Sequence, residues 1–219
     1  MIRSRKQIIW DYAATLKLFE EVSKVGEMDG NLKLQKLTFL AELEGLKIGL
    51  AVSHFKFFRY NYGPFSKDLV GDVQQLTDMG FCTAGRKLTK RGQFILDYIK
   101  PEIERSDAAS NAFALFGRIA EEYGRRGGKS LMNSVYRMVV PVYDLGGQEV
   151  RVEKIPFHTD ILVPTCEKDL TEVIPFDAEM ITELEEELET QPELLDSENP
   201  SYQKSVKEAL ARLSRTVNA

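Results

Sequence analysis

The stretch from Phe55 to Ile99, FKFFRYNYGPFSKDLVGDVQQLTDMGFCTAGRKLTKRGQFILDYI, constrains the fold more than any other part of the chain. Phe55 to Tyr62 alternates with period two, which is the pattern of a strand. Phe58, Tyr60 and Tyr62 fall on one face and Phe57, Arg59 and Asn61 on the other. Gly63-Pro64 breaks that strand. Ser66 then stands as an N-cap, with Asp68 near the positive end of the helix dipole. Leu69, Val73 and Leu76 follow at helical spacing, and Gly80 closes the helix. Phe81 to Leu88 fits a short hairpin turning at Gly85-Arg86-Lys87. Thr89 caps a helix carrying Phe94, Ile95, Tyr98 and Ile99, and Pro101 marks its end or a kink. Strand, turn, helix, two-stranded wing and helix make a winged-helix-like module, an architecture that binds DNA or protein more often than it catalyses.

The flanks extend this block in two different ways. Upstream, Ile9, Tyr12, Ala13, Leu16, Phe19 and Val22 repeat at helical spacing from Ile8 to about Val25. A second helix from about Leu32 to Leu46 turns Leu34, Leu37, Leu40, Ala41 and Leu43 inward. Downstream, helices are expected over about Ala108–Tyr123, with Phe113, Phe116, Ile119 and Tyr123 on one stripe, and over about Leu131–Val139. Leu145-Gly146-Gly147 ends the mostly helical part. Beyond it VRVEKIPF, DILVP and LTEVIPF are short β-like runs broken by prolines. Asp177 caps an acidic helix, QPELLDSENPS reads as a linker, and Tyr202, Val206, Leu210 and Leu213 mark a last amphipathic helix. That helix either docks on its own core or lays its apolar face in a partner's groove. The expected class is therefore α+β, mainly α: a winged-helix-like domain over 1–147 and a small mixed α/β extension over 148–219. No internal repeat at a fixed period is visible.

Composition bounds the functions open to such a chain. Its 219 residues suffice for a sizeable core, and 43% hydrophobic with 29% charged residues is ordinary for a soluble globular protein. No apolar run approaches the roughly 18 residues that span a bilayer. The basic start, Met1 to Lys6, leads into no hydrophobic signal region, so a cytoplasmic location is expected. Cys82 and Cys166 stand apart as reduced thiols. With only His54 and His158 and no Cys/His cluster, neither a metal site nor a cofactor is expected. Net charge is −5, but residues 1–100 carry 16 Lys/Arg against 11 Asp/Glu, while 101–219 carry 13 against 23. A mildly basic part joined to a strongly acidic one suggests two units with different roles.

Each motif that hints at chemistry has a plainer reading. GRRGGKS (Gly124 to Ser130) resembles a phosphate loop, but its first glycine is one residue too close and a helix precedes it, so it reads as a helix–helix loop. His158 beside Asp160 has no nucleophile elbow with it, His54 has no evident partner, and Cys82 reads as a small core residue. The aromatic run Phe55, Phe57, Phe58, Tyr60 and Tyr62 beside Lys56 and Arg59 could stack single-stranded nucleic acid or pack a core. The helix after YGPFS would present Lys67, Asp68, Asp72, Gln74, Gln75 and Asp78, an acidic surface unsuited to a major groove. The wing cluster Arg86, Lys87, Lys90 and Arg91 fits DNA backbone contacts better, or else is a solvated turn. A whole strand separates the two helices that a helix-turn-helix would join directly. The acidic stretch Glu172–Glu198 holds eleven Asp/Glu and no Lys/Arg, as a solvated face or as a lure for a basic partner.

KLQKLTFLAE (33–42), FRYNYGPFSKDL (58–69), LTDMGF (76–81) and LTKRGQFIL (88–96) follow one another in a familiar order and spacing. In these the chain resembles the small prokaryotic and phage proteins that include the YwgA-like uncharacterised family, and the wider Panacea domain known from the antitoxin SocA. SVYRMVVPVY (134–143) is similar to that family's later Val-Tyr helix. The resemblance covers about residues 8–145, and residues 150–219 lie outside it. It implies a non-catalytic binding module: Panacea proteins neutralise toxins by direct contact, and SocA-like members also act as adaptors for proteolysis. It carries over no catalytic residues.

The expectation is a non-enzymatic protein-binding module of antitoxin or regulatory type. It would engage a protein partner, a toxin being one candidate, through an exposed strand–turn surface of Arg59, Asn61, Tyr62, Pro64 and Phe65. The alternative is a winged-helix transcriptional regulator that contacts DNA through Arg86, Lys87, Lys90 and Arg91.

Overall fold

Ser4 opens the first helix with a capping box: its hydroxyl accepts from the Gln7 N–H, and the Gln7 side chain accepts from the Ser4 N–H. The computed structural model describes residues 3–50 and 52–163, together with 180, 182, 183 and 186. Within them the helices are α1 (Arg5–Val25), α2 (Asn31–Lys47), α3 (Lys67–Asp78), α4 (Lys90–Glu104), α5 (Asp107–Tyr123) and α6 (Gly128–Arg137). Strands β1 (Phe57–Tyr60), β2 (Gly63–Phe65), β3 (Val139–Val142), β4 (Gln148–Arg151) and β5 (Asp160–Leu162) complete an α+β, mainly helical architecture.

α1 and α2 form the centre. α1 packs on α3, α4 and α5, and α2 packs on α5, α6 and β2. Both bury far more than one stripe, Trp10, Leu16, Leu18, Phe19 and Val22 on α1 and Leu34, Leu37, Phe39, Leu40 and Leu43 on α2. A helix enclosed this completely buries its polar positions too, and those must find partners. The expected caps at Ser66 and Thr89 hold, each hydroxyl accepting from the third residue on, and Gly80 follows α3 in a left-handed conformation. α4 runs through Pro101 to Glu104.

Two sheet features differ from expectation. Gly63-Pro64 does not simply end the aromatic strand. The chain turns at Asn61-Tyr62 and re-pairs as β2, with Phe58 opposite Phe65 and Tyr60 opposite Gly63. Gly63 takes φ +91°, a conformation that resists any side chain, and the hairpin depends on it. The expected wing over Phe81–Leu88 is reduced to a single bridge between Cys82 and Leu88, with Arg86 left-handed at its tip.

The later elements are more integrated than their sequence suggests. The helix expected to reach Val139 stops at Arg137, and SVYRMVVPVY continues as strand β3, not as helix. The boundary expected at 147/148 falls inside the β3–β4 hairpin. β5 pairs antiparallel with β1, giving a three-stranded sheet ordered β2-β1-β5. Val152, Ile155, Ile161 and Leu162 are buried in the common core. LTEVIPF, the acidic helix from Asp177, the linker, the last amphipathic helix and Cys166 lie outside the described residues, apart from the four positions 180, 182, 183 and 186.

Candidate functional site

The polar residues of KLQKL, which a surface helix would show to water, are all buried and all hold loops. Lys33 Nζ donates to the carbonyls of Glu27 and, at 2.6 Å, Gly124. Gln35 pairs both ways with the Ser66 backbone, donating to its carbonyl at 2.9 Å and accepting from its N–H at 2.8 Å. Lys36 Nζ donates to the Pro64 carbonyl at 2.7 Å. Burial, aided by the charge of Arg59, pulls the Lys36 amine down to about 7. Gln35 and Lys36 thus fix YGPFS from behind, while Lys33 ties the Glu27 and Gly124 loops.

On the outer side of that sheet the side chains are aromatic. Phe58 lies edge-on to Phe65 at 5.7 Å and to Tyr60 at 5.9 Å, with Tyr60 on Phe65 at 5.4 Å. His158 stacks on Phe58 at 6.2 Å, and Lys67 Nζ stands 5.8 Å over the same ring. The turn bearing Phe157 and His158 is held by the His158 N–H to the Arg59 carbonyl and by the Arg59 N–H to the Thr159 carbonyl, each 2.8 Å. Tyr60, Tyr62 and Phe157 remain 39%, 63% and 58% exposed. Exposed aromatics held by a rigid scaffold are typical anchors of protein interfaces.

The expected surface is redistributed by this geometry. Asn61 and Tyr62 are exposed at the turn and Phe65 is half-buried, but Pro64 is buried against α2. Arg59 is also buried, 5% exposed, because period-two alternation sends it inward with Phe57. Its guanidinium lies between the rings of Tyr136 (4.9 Å) and Phe157 (4.8 Å). The Tyr136 hydroxyl donates to the Asn61 carbonyl. Phe55 and Phe57 belong to the core, not to the face. The face also gains Phe157 and His158, which sequence reading did not assign to it. Their approach depends on long-range pairing of β5, for which the local sequence gives no signal beyond the DILVP run.

The basic cluster is likewise divided. Lys87 and Lys90 are exposed, but Arg86 donates to Asn31 Oδ1 and Lys87 lies 3.7 Å from Glu27. Arg91 is buried over the Phe81 ring at 5.3 Å, so it is not part of a surface cluster. On α3, Asp72 is not exposed: Arg3 grips it with two hydrogen bonds of 2.6 and 2.8 Å and reaches Asp11 at 2.7 Å. Burial pushes the Asp72 carboxyl up to about 6 against the pull of Arg3. His54, expected to lack a partner, sets Nδ1 3.0 Å from Asp11 Oδ1, and its backbone N–H donates to the same oxygen. Cys82 is buried with its thiol pKa raised by burial, as a small core residue should be. Of the GRRGGKS segment, Gly124 to Gly127 form the loop that joins α5 to α6, and Gly128 to Ser130 open α6. Among the described residues, no three His, Cys, Asp or Glu side chains gather where they could hold a metal ion, and no helix is long and apolar enough to cross a membrane.

Fold and face together define a mainly helical α+β protein with an exposed aromatic surface on a small sheet. No known family, curated protein or solved structure matches the chain.

Proposed function

We propose that the chain is a non-enzymatic protein-binding module of antitoxin or regulatory type, winged-helix-like in its first 147 residues, that sequesters a partner by direct contact. The supporting observation is the exposure of Tyr60, Tyr62 and Phe157 on a hairpin and turn pinned from behind by Gln35, Lys36 and backbone pairing. A surface already held in one conformation loses little entropy on binding, and large aromatic side chains supply most of the contact energy. In the Panacea resemblance YGPFS supplies part of that hairpin and KLQKL the α2 side chains behind it, which supports choosing this face for partner binding.

The duplex-binding alternative rests on exposed Lys87 and Lys90 beside the Cys82–Leu88 bridge. With Arg91 buried and Arg86 tied to Asn31, few cations are left to neutralise phosphates.

The test is affinity purification at native expression level, with mass spectrometry of co-eluting protein and an absorbance ratio for nucleic acid. A stoichiometric partner, toxic alone and lost on the double substitution Tyr60→Ala with Tyr62→Ala, is the expected result. Salt-sensitive duplex DNA without a protein would replace this reading by the regulator.

A further inference from the structure

The face covers two buried cations. Arg59 points inward from β1 and Lys36 rises to it from α2; they are 5% and 2% exposed. Neither makes an ion pair among the described residues. Lys36 is held by the Pro64 carbonyl, and Arg59 Nη1 by the Tyr60 carbonyl. Arg59 Nε is buried with no hydrogen-bond partner among the described residues. The carboxylates near β5 are engaged elsewhere: Asp160 pairs with Lys56, and Asp144 accepts from the Asp160 N–H at 2.6 Å.

This arrangement is incomplete as it stands. Lys36 can relieve its burial by losing a proton, as its lowered pKa reflects. The guanidinium of Arg59 is compensated by two aromatic rings and one carbonyl. A buried cation without a counter-charge is costly, and the planar Nε edge of a guanidinium is shaped to meet a carboxylate side-on. One face of the guanidinium is covered by the ring of Phe157, a single side chain on an exposed turn.

We propose that Arg59 anchors a site for a carboxylate carried by an acidic, apolar-flanked peptide segment of a partner protein, laid across Tyr60, Tyr62 and Phe157. This rests on the protein-binding reading above and specifies the partner's chemistry. Displacement of Phe157 opens the guanidinium from its covered face, the carboxylate pairs with the unpartnered Nε, and the aromatic rim excludes water from the pair, which strengthens it. Lys67, over Phe58, supplies a second cation at the margin. A nucleic acid is the poorer fit, since a polyanion needs a row of exposed cations, whereas here Arg59 is buried and Lys56 is already paired.

The experiment is NMR titration of the full chain, following the arginine Nε–H resonance assigned to Arg59 by its loss in Arg59→Lys. The probe is a short peptide of alternating glutamate and leucine, with its glutamine counterpart, inorganic phosphate and oligothymidylate as comparisons. The expected result is a saturable shift of the Arg59 signal by the glutamate peptide, with the glutamine peptide about tenfold weaker or more, as for loss of a charge-assisted hydrogen bond. Arg59→Lys keeps the charge but loses the fork, and weakens the peptide similarly. Phe157→Ala, at an exposed position, leaves the fold intact and changes peptide affinity. A still Arg59 signal, equal affinity for both peptides, or tighter response to phosphate or oligothymidylate would overturn the proposal. A partner that co-purifies and binds Arg59→Lys undiminished would overturn the anchor while leaving the protein-binding reading in place. A shift by the peptide without any cellular partner would support the anchor against that reading.

Discussion

Lysine, glutamate and aspartate side chains held inside this core tie its stability to pH in two opposing ways. Glu42 is buried and accepts from the Ser53 hydroxyl, and burial raises its carboxyl from 4.5 to about 8. Asp72 is raised by burial from 3.8 to about 6. A carboxyl with a raised folded pKa gives stability that is complete below its unfolded value and is lost as pH rises through the folded one. Stability should therefore fall between about pH 4.5 and 8. Lys36 has the opposite sign, with a folded value near 7 against 10.5 unfolded. Its burial cost is complete below pH 7 and is removed as pH climbs toward 10. Urea unfolding across pH 4 to 10 should then show a stability minimum just above neutrality, with limbs on the order of a few kcal/mol. Glu42→Gln should flatten the acid-side limb and Lys36→Met the alkaline one. A monotonic profile unaffected by either substitution would mean that these groups are solvated in the native protein.

At the scale of elements, the clamp between α2 and the YGPFS segment decides whether the aromatic face is ordered. Gln35 satisfies both the N–H and the carbonyl of Ser66, and Ser66 in turn caps α3. Gln35→Leu preserves approximate size but leaves two buried backbone groups unpaired, a cost of about 2–4 kcal/mol. Denaturant unfolding should report that loss, and hydrogen exchange should show faster opening of the amides from Gly63 to Leu69 than elsewhere. Uniform exchange would place the clamp's contribution in the global fold. Here the limits of sequence reading are visible in particular residues. Ser66, Thr89 and Gly80 act locally, through hydrogen bonds to residues a few positions away, and so caps and helix registers were legible. Lys33, Gln35, Lys36 and Asp72 were not, because a polar side chain is placed outside by default and only tertiary enclosure of α2 and α3 reverses that. Arg59 was half legible: alternation put it on the face of Phe57, yet its charge argued for exposure. The partners of β1, both β2 and β5, followed from a hairpin glycine and from pairing of Phe57 with the distant Leu162, and only the first leaves a local trace.

For the whole molecule, the question is where the folding unit ends. Leu145-Gly146-Gly147 and the change to short β-like runs beyond it place a division near residue 147, but the chain continues into β4, returns to β5 and closes the sheet whose outer face carries Tyr60. A fragment ending at 147 would leave Val140 and Val142 without β4 and would strip Val152, Ile155, Ile161 and Leu162 from the core. At about 1.5–3 kcal/mol per buried aliphatic side chain, the last four alone represent on the order of 6–12 kcal/mol. That is comparable with the entire stability of an ordinary domain, roughly 5–15 kcal/mol. The loss extends to the face itself, since the Arg59 N–H and carbonyl would lose Thr159 and His158, and the guanidinium would lose Phe157. The fragment 1–147 should thus show no cooperative urea transition, whereas 1–163 should unfold in one sharp step monitored by circular dichroism. Adding a peptide of residues 148–163 to the shorter fragment should restore part of that transition. If 1–147 unfolded as sharply and at the same midpoint as 1–163, β4 and β5 would be appendages, and the acidic remainder of the chain would begin where its composition changes.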